Sequence, residues 1–148
     1  MVLLAGIGIY AIVLLKALGG KIDLTLKENY RSVVAGRRMK ESLQAMDSGL
    51  VFTLVGETDR GTKIYQLNAP IFAKNLLAEE HNITLPGEQE LADTIRQEFT
   101  AYQSEVQHFN EISDLDQKRQ FYFSTVQPFG TKIKTPRSRL FVSTKTIC

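Results

Sequence analysis

Few side chains in this chain could carry chemistry. Glu79, Glu80 and His81 stand together, a grouping that would suit a metal ion if the three converged. Neighbouring helix positions point apart, so they read as a solvated helix end. His108 has no second His or carboxylate at ligand spacing, and Asp114 with Asp116 reads as loop carboxylates rather than an acid/base pair. The run Gly6–Ile7–Gly8 has no strand before it and lies in an apolar stretch, which excludes a dinucleotide fingerprint. The sequence therefore predicts no catalytic residue, no metal, no cofactor and no enzymatic activity in this chain. Clustered positive charge is the remaining signal: Arg37, Arg38 and Lys40, with Arg31 nearly two turns earlier. Arg37 lies about 120° around a helix from Leu43, on the flank between two apolar strips. An arginine there can lean into the mouth of a bundle and hold a carboxylate or phosphate. It can equally pair with a surface Glu. Arg37 and Arg38 are the candidate ligand-binding residues.

The elements that must position these groups are helical. Residues 28–56 read as one amphipathic helix, with Met39, Leu43, Met46, Leu50 and Leu54 building an apolar stripe. Tyr30, Val33 and Val34 fall on a second face, which needs a partner and predicts a dimer contact. "GETDRG" (residues 56–61) breaks the pattern as a polar turn. A second helix should take Ile64, Leu67, Ile71 and Leu76 or Leu77 inward, with Pro70 kinking it or marking its start. Thr84 can cap a third helix, with Pro86 near its first turn and Glu88 and Glu90 favoured there by the dipole. In that helix Leu91, Ile95, Phe99, Tyr102, Val106 and Phe109 form the clearest seam of the chain. Ser113 with Asp116 approximates a capping box for a fourth helix, which takes Leu115, Tyr122 and Val126 inward until Pro128 interrupts it. Four amphipathic helices joined by short turns predict an all-α, up-down-up-down four-helix bundle.

Before the bundle, Met1 to Leu15 is apolar and uncharged. Fifteen helical residues reach about 22 Å, short of a hydrocarbon core of roughly 30 Å. With Lys16 snorkelling and Ala17 and Leu18 added, the run approaches spanning length. No basic stretch precedes it, as a signal peptide would require, and a buried core helix is the third reading. The expected organisation is a partial transmembrane helix over residues 1–18, a bundle over 19–128 and an irregular basic tail over 129–148.

Charge supports that division. Residues 130–148 hold Lys132, Lys134, Arg137, Arg139 and Lys145 with no acid. The preceding 129 residues carry 13 basic against 16 acidic groups, and a body of net −3 is unsuited to nucleic acid. Two accounts of the tail stand side by side, a shifted reading frame and a native tail lying on acidic membrane lipid. The single cysteine, Cys148, excludes an intrachain disulfide.

Three stretches, "ENYRSVVAGRRMKESLQAMDSGLVFTLVG", "NITLPGEQELADTIRQEF" and "RQFYFSTVQP", resemble the sensor region of KinB-type bacterial sensor histidine kinases. The resemblance covers residues 16 to about 128. It implies a first transmembrane helix running into a periplasmic four-helix bundle, in a protein of the bacterial inner membrane. It further implies a homodimer that relays a signal by shifting one helix against another, toward a cytoplasmic kinase core. No phosphoacceptor histidine box or ATP lid is found in this sequence. The expected partners are a second copy, membrane lipid and a small-molecule ligand, anionic if Arg37 and Arg38 serve it. A chemoreceptor ligand-binding domain and a membrane-anchored helical adaptor share the same architecture.

Overall fold

No proline occurs before Pro70, and the chain opens with 53 helical residues, α1 (Val2–Leu54). The computed structural model describes residues 2–83 and 86–133; for most positions before Glu28 it describes the backbone alone. Gly56, at φ 94°, closes α1. The Glu57 amide reaches back to the Phe52 carbonyl at 2.9 Å and the Gly56 amide to Thr53 at 3.2 Å, a left-handed cap that satisfies two carbonyls of the last turn. The turn is shorter than the polar loop expected over 56–61. Residues 55–57 suffice, and α2 (Thr58–Glu80) has already begun. That helix passes through Pro70, so the proline does not mark its start.

Gly87, at φ 88°, precedes α3 (Glu88–Glu111), which places Pro86 in the turn before the helix. Thr84, the expected cap, lies outside the described residues. The cap of α4 (Leu115–Phe121) is Asp114 rather than Ser113: its Oδ1 accepts the Gln117 amide at 2.8 Å. Pro128 does not end the fourth helix. A π-helical turn (Tyr122–Val126) follows α4, the Gln127 amide donating to the Tyr122 carbonyl, and residues 127–133 remain helical. A proline ring presses on the carbonyl four residues earlier in a regular α-helix; the wide turn ahead of Pro128 relieves that clash. The bundle thus continues past residue 128, and Ile133 is fully buried in its core. The tail beyond 133 lies outside the described residues.

All described elements are helical. The chain divides into two compact units between Arg31 and Ser32. Within the second unit the helices pack as a bundle. Asn82 Nδ2 donates to Ser32 Oγ at 2.7 Å and the Gly61 carbonyl lies against Gly49, which sets α2 antiparallel to α1. Phe72 stacks on Phe99 at 4.1 Å, Glu80 pairs with Arg96, and Phe109 meets Tyr122 edge-on at 6.2 Å. Such ring pairs contribute about 0.5–1.5 kcal/mol beyond their burial. The stripes of α1 and α3 enter the core as their spacing predicts, from Met39 to Leu54 and from Ile95 to Phe109, with Leu91 partly buried beside them.

The second helix differs from expectation. Leu67 is 59% exposed, Ile71 and Leu77 are exposed as well, and the core takes Phe72 and Leu76 with Tyr65 and Ala69 packed against them. Gly61 sets this register, because its face must meet α1; positions 65, 69, 72 and 76 follow on the same side at helical spacing. Leu115 is likewise exposed, at the start of α4. Among the described residues no helix is long and apolar enough to cross a membrane.

Candidate functional site

Two polar features interrupt this apolar architecture. One is an open groove of about 580 Å³ between α1 and α2, within the usual size range of small-molecule sites. On the α1 side lie Arg38, Ser42 and Ala45; α2 contributes Asn68, Ile71, Lys74 and Asn75. Asn68 and Asn75 are seven residues apart and so share a helix face. Each donates one amide hydrogen to its own helix, Asn68 to the Ile64 carbonyl at 2.8 Å and Asn75 to the Ile71 carbonyl at 2.7 Å. Ser42 Oγ donates to the Met39 carbonyl at 2.9 Å. These bonds fix the side chains without joining the two helices. Arg38 and Lys74 are exposed, and neither has an ion-pair partner among the described residues.

The second feature lies in the bundle interior, where each helix supplies one polar group. Tyr122 Oη donates to Asp47 Oδ1 at 2.8 Å. Tyr102, fully buried, lies close enough to Tyr65, Asp47 and Tyr122 to feel their charges, and its own hydroxyl has no hydrogen-bond partner among the described residues. Burial pushes the Tyr65 phenol up to about 12. Burial also raises Tyr102 strongly, with the charges of Tyr65, Asp47 and Tyr122 adding to it. For Tyr122 burial is again the main cause, followed by its bond to Asp47 and the Asp47 charge. All three phenols stay neutral in the folded chain at physiological pH.

The residues singled out in the sequence fall in different places. Arg37 points to solvent, 76% exposed, and pairs with Glu41 one turn on at 3.2 Å. Arg38, its neighbour, lines the groove. Tyr30 is 70% exposed, Val33 is exposed and Val34 is half-buried. His81 follows the last turn of α2, exposed, while His108 stacks on Phe121 at 4.8 Å. Glu80 binds Arg96 through both carboxylate oxygens, and this contact holds the Arg96 guanidinium above its ordinary value. Among the described residues no group of three His, Cys, Asp or Glu is placed to hold a metal ion.

Lys74, Ser42 and Asn75 were not anticipated, nor was the Asp47 layer. A signal existed: Ser42, Ala45, Gly49 and Thr53 recur at spacings of three and four, a strip of small residues beside the apolar stripe. Small residues there allow a neighbouring backbone to approach, which identifies the face that α2 covers. Compared with known proteins, the chain matches no family model, no curated protein and no solved structure.

Proposed function

We propose that this chain is the extracytoplasmic sensing region of a membrane-bound two-component sensor histidine kinase. Its apolar opening anchors it in the bacterial inner membrane, and the bundle lies in the periplasm. It acts as a homodimer, joined through Tyr30, Val33 and Val34. Ligand occupancy shifts α1 against α2, and the shift is relayed to a kinase core. The chain itself catalyses nothing. The reading is supported above all by α1, whose helical hydrogen bonding runs unbroken from Val2 to Leu54. That single helix contains the apolar opening, the main core stripe and one wall of the groove. In sequence, no loop separates Arg38 and Ser42 from the apolar opening.

Single cysteines at 30, 33 and 34, in a Cys148→Ser background, test this in membranes from cells expressing the chain. Cross-links between copies at these positions, with none at Leu43, are expected. Recovery of the chain outside the membrane fraction, or cross-links at Leu43 alone, would overturn the reading.

A further inference from the structure

Ser42 is 2% exposed and Asn75 is 9% exposed, yet both are polar and both line the seam between α1 and α2. Burying polar groups costs stability unless they are satisfied, and these are satisfied only within their own helices. Neither of these bonds joins α1 to α2. The polarity of Ser42 and Asn75 faces the groove instead. Above them stand Arg38 from α1 and Lys74 from α2, one cation on each wall. Glu41 also borders the groove, but its carboxylate is engaged by Arg37. The rim therefore keeps an excess of positive charge.

The chemistry of the floor is specific. Ser42 has one hydroxyl hydrogen, and the Met39 carbonyl takes it, so toward the groove Ser42 Oγ can only accept. Asn68 and Asn75 each have an amide pinned by its own backbone, which leaves Oδ1 as an acceptor and one N–H as a donor. A matching occupant needs donors as well as negative charge, and hydroxyl groups both donate and accept. Ile71 and Ala45 add an apolar wall suited to a short carbon skeleton.

We infer that this groove binds a small hydroxylated dianion, with one anionic group at Arg38, the other at Lys74 and the hydroxyls on Ser42 and the asparagines. As the identity of the stimulus, the inference rests on the sensor reading above; as a binding site it stands independently. Because the cations belong to different helices, the occupant bridges α1 and α2 and draws them together.

Three four-carbon probes separate the components of this recognition. Tartrate carries two carboxylates and two hydroxyls, succinate the carboxylates alone, and erythritol hydroxyls without charge. Calorimetric titration of the whole chain should show saturable tartrate binding, succinate about tenfold weaker or more, and no binding of erythritol. Arg38→Gln and Lys74→Gln should each weaken tartrate about tenfold or more, while their melting temperatures stay close to that of the original chain. Ser42→Ala should reduce the preference for tartrate over succinate.

Absence of tartrate binding would overturn the inference, as would equal affinity for tartrate and succinate or undiminished binding by both charge variants. Failure here with the inter-copy cross-links intact removes the groove and leaves the sensor reading. Tartrate binding without those cross-links does the reverse.

Discussion

The seam between α1 and α2 has two stretches of opposite character. At Gly49 and Gly61 the backbones all but touch: a Cβ built on Gly49 would stand 2.7 Å from the Gly61 carbonyl oxygen and 3.2 Å from the Tyr65 nitrogen. Two to three turns of α1 earlier, at Ser42 and Arg38, the same helices stand apart and enclose the groove. Beyond the groove they meet again, where Asn82 donates to Ser32. The difference follows from side-chain size. Glycine removes the spacer at the crossing, whereas larger residues, Asn68 and Asn75 among them, line the groove and keep it polar. A groove fixed at both ends and open between them can change width without the bundle coming apart.

The largest effect is expected where the helices are closest. Gly61→Ala in a helix would ordinarily gain about 0.5–1 kcal/mol from the unfolded chain's lost freedom. Here its Cβ meets the Gly49 carbonyl and the Thr53 hydroxyl, 2.5 Å away, and neither backbone can rotate aside. Overpacking of this kind costs about 1–3 kcal/mol, so the sign reverses. Gly130→Ala is the control: its Cβ would lie 3.8 Å from Tyr102 Cε2, an ordinary contact, and the substitution should stabilise. Urea unfolding of the two variants checks the contrast. A stable Gly61→Ala chain would mean that the crossing is looser than the structure has it.

Legibility in the sequence followed the same division. The stripes of α1 and α3 were readable because every fourth or third position is large and apolar, and burial of such residues dominates the choice of helix face. On α2 the apolar residues occur on several faces, and Leu67, Ile71 and Phe72 compete. Only Gly61, a residue with no side chain, decides among them, and hydrophobicity is blind to it. Pro128 misled for a related reason. It signals a break, but the π-helical turn before it is set by packing of Tyr122 and Val126, which depends on the other helices. For the groove, charge clustering drew the argument to Arg37, whereas its neighbour Arg38 is the one that lines the groove. Which of the two does so depends on where α2 lies. Lys74 and Asn75 needed the register that Gly61 imposes.

Level with the crossing, the interior offers a test through pH. Tyr65, Tyr102 and Tyr122 keep their protons in the folded chain at a pH where the unfolded chain has lost them, the Tyr65 phenol to about 12. Above pH 10 the unfolded state therefore binds fewer protons, and stability, complete below pH 10, falls as pH rises. Each retained proton steepens the fall by about 1.4 kcal/mol per pH unit. Absorbance of phenolate should show these three ionising together with loss of helix rather than before it. Early ionisation of all three with the helix signal intact would mean that the layer around Asp47 is open to water, as the groove is.

The smallest effect belongs to Arg37, and it bears on the groove side of the comparison. Arg37 and Arg38 are adjacent and chemically identical, so any difference between them comes from position alone. Arg37 is held by Glu41 one turn on, with both side chains more than half exposed. Pairs of this geometry contribute about 0.3–0.5 kcal/mol, and salt screens them. Arg37→Ala should thus lower stability by no more than that, with the deficit shrinking as salt is added to the urea titration. The substitution also frees Glu41 on the groove rim, where an unpaired carboxylate opposes an incoming anion. Tartrate affinity should fall slightly, far less than for Arg38→Gln. If Arg37→Ala instead weakens tartrate as much as Arg38→Gln does, the arginine that meets the ligand is the solvent-facing one, and the groove between α1 and α2 is not the site.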